Sequence, residues 1–265
     1  KFDSELILMK TVAFANQKGG VAKTTTCVNV AGIFAAKGVR TLLIDSDPQC
    51  NATSFLLRDG YPKAEESLAA LYEQRLCDDP GLIKTTRLPN LSIIAGGFKL
   101  AGMVSEVYSR IKNHERLLTY LKKYATGFDV ICIDCPPDIG IYTLNAFIAS
   151  DYIIVPMIPE RLSLEGYQQL DEKVQIVRDM GVNVEIMGAV ITLFQGSLSI
   201  HKEWRDQITE GFGENLLGVI HAAAEMKRLS EIKQLLTETT KSRRAYLEHL
   251  KLTQKIASII GVDLS

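Results

Sequence analysis

Net charge of either sign is missing from this chain: 30 Lys and Arg stand against 31 Asp and Glu, a formal −1 at pH 7. That excludes a global polyelectrolyte attraction to nucleic acid or an anionic membrane, so any such binding has to come from a local patch. No apolar run approaches the roughly 18–20 residues needed to span a bilayer. The opening KFDSELILMKTVAFANQ lacks the basic-then-apolar order and the small-residue cleavage site of a secretory leader. A regular cysteine framework is lacking too. Cys27, Cys50, Cys77, Cys132 and Cys135 are odd in number and scattered, as suits reduced thiols in a cytoplasmic protein. Cys132 and Cys135 form a C-x-x-C inside the apolar run FDVICIDCPP, with no second Cys or His pair to complete a metal site, and read as core. Internal repeats and low-complexity tracts are absent.

What is present is 265 residues, 46% of them hydrophobic, enough for a substantial core. Residues 1–8 precede Met9 and read as a short extension or cloning remnant; residues 9–265 read as one domain. Apolar runs alternate with helical patterns. Thr11–Asn16, Val39–Asp45, Leu91–Gly96, Phe128–Asp134, Asp151–Met157, Val184–Phe194 and Asn215–Ile220 read as strands. The stretch TTTCVNVAGIFAAKG reads as a helix closed by Gly38. A later helix carries Leu164, Tyr167, Leu170, Val174, Val177 and Met180 at three- and four-residue spacing, ended by Gly181. Near-continuous apolar strands between amphipathic helices predict an α/β fold: a mostly parallel twisted sheet with helices on both faces. Such folds bind ligands at the carboxyl ends of their strands, so the polar residues just past the strands carry the functional reading.

After the first strand comes NQKGGVAKTTT. Gly19 and Gly20 let the backbone turn and bring N–H groups close to an anion, and the following helix points its positive end at the same place. Lys23 can reach the β- and γ-phosphates of a nucleotide, and the Thr24 hydroxyl can ligate Mg²⁺. The spacing fits the usual G-x-x-x-x-G-K-[ST] loop only loosely. Lys18 is an extra lysine before the glycine pair, and Ala22 holds the last glycine position. If residue 22 has φ < 0, alanine fits at little cost; if it needs φ > 0, the penalty is roughly 1 kcal/mol or more. With Lys23 and Thr24 present, and Asp47 and Asp134 standing just past or at the ends of later apolar strands, nucleotide binding is expected to survive, which leaves turnover as the property Ala22 affects.

KGGVAKTT resembles the deviant Walker A motif, K-G-G-x-x-K-[ST], of the ParA/MinD family of P-loop ATPases. The resemblance implies ATP and Mg²⁺ as ligands, held by Lys18, Gly19, Gly20, Val21, Ala22, Lys23, Thr24 and Thr25. It also implies that Lys18 reaches across a dimer interface to the partner's nucleotide, as an arginine finger does. LLIDSDPQCNATSFL is similar to the family's second signature, which assigns Asp47 to positioning or activating the attacking water; the bland alternative is a cap for a helix starting near Asn51. VICIDCPPDIG resembles the Walker B strand, implying that Asp134 holds Mg²⁺ with Thr24. VPMIPERLSLEGYQQL resembles a segment of the ParA-type members. The matches run from about Met9 to about Arg228; residues 58–125 match in general architecture alone.

The resemblance divides into branches. The nitrogenase iron protein is set aside because no cysteine pair sits where a bridging cluster needs it. The membrane-cycling MinD branch attaches through a basic amphipathic C-terminal helix. Here the chain ends LKLTQKIASIIGVDLS, whose Ile256, Ile259 and Ile260 read as core positions of a docking helix. The ParA branch binds double-stranded DNA without sequence preference. Residues 226–255 carry eight Lys/Arg against three Glu, net +5, so the rest of the chain carries −6. Lys227, Arg228, Lys233, Lys241, Arg243 and Arg244 are the candidate phosphate contacts; the bland alternative is a solvated helix face. KRLSE looks like the family's R-L-x-E segment, with His221 where the family usually has proline. The first strand begins almost at once, as in the short Soj-type members. The expectation is therefore a cytoplasmic, nucleoid-associated partition ATPase, a homodimer when ATP-bound, released from DNA by a ParB-like or cargo-adaptor partner. A membrane-cycling positioning ATPase and a non-hydrolysing scaffold are the alternatives.

Overall fold

Strands buried on both faces must be apolar at every position, and alternate residues must feed opposite layers. The computed structural model describes residues 9–57, 60–73, 79–109, 113–240 and 243–264, and its strands follow that rule. The strands are β1 (Lys10–Phe14), β2 (Thr41–Asp45), β3 (Ile83–Thr85), β4 (Leu91–Ile94), β5 (Val130–Asp134), β6 (Tyr152–Met157), β7 (Glu185–Phe194) and β8 (Leu216–His221). They form one sheet in the order β3-β4-β2-β5-β1-β6-β7-β8. Every pairing is parallel except β3 with β4.

The helices are α1 (Lys23–Ala36), α2 (Asn51–Leu56), α3 (Leu68–Glu73), α4 (Leu100–Ser109), α5 (Arg116–Tyr124), α6 (Ile141–Ile148), α7 (Arg161–Asp179), α8 (Ser199–Phe212), α9 (Ala224–Glu231) and α10 (Arg243–Ile260). Val12, Phe14, Leu43 and Cys132 pack under α1, α2 and α10. Ala13, Ile44, Ile133 and Val155 pack under α3 to α8 on the opposite face. Both predicted helical layers are therefore present. Cys27, Cys50, Cys132 and Cys135 are buried free thiols; Cys77 and residues 1–8 lie outside the described residues.

One strand went unread in the sequence, and two expectations need correction. β3 is an antiparallel edge strand in a segment with no readable period. Met180 is half exposed, because it is the C-cap just past the end of α7, beyond the stretch whose Leu170, Val174 and Val177 are buried. Ile259 is 42% exposed while Ile256 and Ile260 are buried; only the narrow stripe of α10 that faces α1 and β8 is covered, and Ile259 lies beside it.

A bulge shapes the strand that ends at the site. The β6–β7 register slips at Met187, so Ile153 faces Ile186 while Ile154 faces Gly188. Gly188 sits at φ +153, and a Cβ there would lie 1.9 Å from the Asn215 carbonyl oxygen. Backbone cannot yield as a side-chain tip does, so Gly188→Ala is expected to cost about 2 kcal/mol or more. Gly218→Ala on β8, where nothing lies within 4 Å, is expected to stay within about 0.5 kcal/mol. Urea unfolding of the two variants checks the contrast.

Candidate nucleotide site

Parallel register brings the carboxyl ends of β1, β2 and β5 together. Phe14 stands beside Asp134, and Asp134 beside Asp45. The loop after β1 then crosses above these strand ends. Asn16 shapes its entry: its amide donates to the Pro156 carbonyl (2.7 Å), and its oxygen accepts from the Lys18 backbone N–H (2.9 Å). Gly19 and Gly20 are exposed, Gly20 with φ +76. Val21 is buried, and its carbonyl accepts from the Thr192 hydroxyl at the end of β7 (3.0 Å).

Ala22 adopts φ 56, ψ 30 at the N-cap of α1. The left-handed alternative is thus the one realised, and the strain expected there is present. Thr24 and Thr25 are half-buried at the start of α1. Lys23 is buried, and its Nζ reaches back to the Lys18 carbonyl (3.2 Å), closing the loop on itself. Burial lowers the pKa of Lys23; Asp134, then Cys135 and Asp47, oppose the shift.

The carboxylates outnumber this cation. Asp45 is fully buried, takes the Thr53 N–H and hydroxyl on one oxygen (2.7 Å each) and the Asp47 N–H on the other (3.2 Å). Burial pushes its pKa up to about 6 against those hydrogen bonds. Asp134 is fully buried with neither carboxylate oxygen in a regular hydrogen bond. Burial, then Asp45, raises its pKa well above the carboxylate range, and the Thr24 side chain offsets part of this. Asp47 is also raised by burial, with the Gln49 N–H and Lys23 opposing. Asp47 does not cap α2: Cys50 holds that position, and Asp47 Oδ1 accepts from the Gln49 N–H (2.8 Å). A buried carboxylate with unpaired oxygens beside a hydroxyl is a donor set suited to a hard divalent cation, so Thr24 and Asp134 fit Mg²⁺.

Lys18 pairs with Glu160, the residue preceding α7. Asn16, Asp45, Glu160 and Thr192 were not singled out from the sequence. Asn16, Asp45 and Glu160 lay within the motif stretches, but the contacts that give Asn16, Glu160 and Thr192 their roles become legible only when distant segments meet.

The relatives can now be placed. A family model described as an AAA domain matches residues 9–187. The sporulation initiation inhibitor protein Soj of Bacillus subtilis is 34% identical over 257 residues, 94% of this chain and 98% of the relative. The chain belongs to the ParA/Soj family of partition ATPases. The chromosome partitioning protein ParA of Myxococcus xanthus is 34% identical over 214 residues, 80% of this chain and 74% of the relative. A putative plasmid partition protein from Borrelia burgdorferi, solved with AMPPNP, shares the fold at TM-score 0.81 and 23% identity, covering 94% of this chain and 99% of that one. A Mycobacterium smegmatis cobyrinic acid a,c-diamide synthase, solved with an ATP analogue and magnesium, matches at TM-score 0.72 and 27% identity over 90% and 98%.

The basic segment of this family member is only partly available to a polyanion. Lys227 and Arg228 on α9 and Arg243 on α10 are exposed. Exposed Arg244 is held by Glu248 (2.9 Å). Lys233 lies over the Phe55 ring (5.3 Å), and Lys255 is tied to the Glu214 and Leu216 carbonyls. Lys241 lies outside the described residues. Met226 and Leu229 pack with Leu236 and Ala245, which sets the cations of α9 beside those of α10. Among the described residues, no helix is long and apolar enough to cross a membrane.

Ala22→Gly relieves about 1–2 kcal/mol of left-handed strain and adds about 0.4–1 kcal/mol of unfolded-state entropy. The nucleotide-free variant is therefore expected to be more stable by roughly 0.5–1 kcal/mol, as read by chemical unfolding; an unchanged or lower stability contradicts this.

Proposed function

We propose that this chain is an ATP-switched partition ATPase that binds DNA without sequence preference in its ATP state. The observation that carries the reading is a buried, unpaired carboxylate (Asp134) facing an anion-binding loop with one buried lysine (Lys23), which calls for a phosphate and a divalent cation together.

Gly19 through Thr25 cradle the phosphates, with backbone N–H groups and the α1 dipole supplying positive potential. Lys23 neutralises charge at the β- and γ-phosphates. Thr24 and Asp134 hold Mg²⁺, which when bound neutralises charge on the β- and γ-phosphate oxygens. Asp47, held by Asp45 through its backbone, orients the attacking water. Lys18 leaves Glu160 when a second subunit docks face to face and contacts the partner's nucleotide. Both side chains of that pair are about one-third exposed, so breaking it costs about 1 kcal/mol or less.

Lys227, Arg228, Arg243 and Arg244 contact DNA phosphates, with Lys233 and Lys241 as further candidates. A groove of about 480 Å³ on α10, lined by Arg243, Arg244 and Lys251 together with Leu247 and Glu248, extends this face. A ParB-like or cargo-adaptor protein stimulates hydrolysis and releases the dimer from the nucleoid, in the cytoplasm.

Duplex-DNA binding with ATP, with ADP and without nucleotide tests the reading, at two salt concentrations. Tight binding is expected with ATP alone, weakening steeply with salt. Arg228→Glu should reduce it about tenfold or more while ATP affinity stays unchanged. Equal DNA binding in all three states, or loss of ATP affinity in the variant, overturns it.

A further inference from the structure

Beside the phosphate loop lies a slot of about 570 Å³ whose lining includes a residue with an unpartnered buried polar atom. Its near wall is the loop itself, at Gly20 and Ala22. Its far wall is the carboxyl ends of β7 and β8 and the start of α9, where Ile220, Ala222, Ala223 and Met226 supply apolar surface. An apolar slot of this size, opening from a phosphate site, is suited to the flat faces of a base.

His249 of α10 lines the same slot and is 1% exposed. Its Nδ1 lies 2.9 Å from the Ala245 carbonyl oxygen. A carbonyl only accepts, so Nδ1 carries the proton. Burial lowers the ring's pKa, against the Ala245 carbonyl and Glu248, and the neutral ring therefore keeps a lone pair on Nε2. That atom has no partner. A buried acceptor without a donor is costly enough to need a reason. Nε2 is across the ring from the bond to α10's own backbone, so it faces away from that helix. The Thr192 hydroxyl of the slot is already engaged with Val21, while His221 Nδ1 lies 2.8 Å from a Glu248 oxygen without a regular hydrogen bond.

We propose that His249 reads the nucleobase: its Nε2 accepts an N–H from the exocyclic amino group of a 6-aminopurine and so selects adenine over a 6-oxopurine. The inference rests on the nucleotide-binding reading above. A 6-oxo group would set one lone pair against another, and the slot would be left with its acceptor still unpaired.

Affinities for ATP and inosine triphosphate, with Mg²⁺, are measured on wild type, His249→Phe and His249→Gln, together with unfolding in the absence of nucleotide. Wild type is expected to favour ATP about tenfold or more. His249→Phe should lose that factor for ATP alone, and its nucleotide-free stability should not fall. His249→Gln should keep part of the preference, since its amide oxygen supplies an acceptor. If phenylalanine proves too large to fold, the wild-type ratio and the glutamine variant decide. Equal wild-type affinities overturn the proposal, as does discrimination that survives in His249→Phe, which would leave Nε2 serving a buried water. Wild type that binds neither nucleotide overturns the nucleotide reading as well.

Discussion

Parallel register sets Asp45 and Asp134 opposite each other at the ends of adjacent strands, both wholly buried. Neighbouring strands lie only about 4.8 Å apart, so the two carboxylates repel and burial penalises both. One buried lysine does not balance them. Everything above the sheet edge responds to this excess. Lys23 is drawn in over it, Thr53 and the Asp47 N–H are spent on Asp45, and Asp134 is left open. The folded chain carries an electrostatic deficit that a divalent cation removes, and the sheet supplies the rigidity that keeps the deficit in place.

The second lysine obeys a different logic. Lys23 is enclosed and committed to its own loop, whereas Lys18 is partly exposed and held by a carboxylate one loop away. A cation parked on a solvent-accessible partner is easily transferred to a stronger anion, and a triphosphate is one. The basic face on α9 and the start of α10 packs around Met226, Leu229, Leu236 and Ala245, joined to the site through Leu235 and Leu236 against α1 and through the rest of α10, which packs in the α1 layer.

Much of this was legible in the sequence because it is local. Strand ends, glycine turn, Lys23, Thr24 and the acidic residues after apolar runs all fall within single segments, and the mostly parallel layers follow from the alternation of strand and helix. What escaped was non-local or context-dependent. Glu160 lies far along the chain from Lys18. β3 is three residues long on a sheet edge, too short to show a period. His249 reads as one more polar residue in a charged helix until its burial is seen, and Lys255 reads as a free cation until two carbonyls claim it. Ala22 could be stated only as a condition on φ, which the fold decides.

The central claim is that Lys18 acts on a partner's nucleotide while Lys23 serves its own. Sedimentation of wild type and Lys18→Ala with a non-hydrolysable ATP analogue and Mg²⁺ tests it most directly. Wild type should shift from monomer to dimer, while Lys18→Ala binds the analogue with similar affinity and stays monomeric. A Lys18→Ala protein that dimerises as readily as wild type would contradict the account.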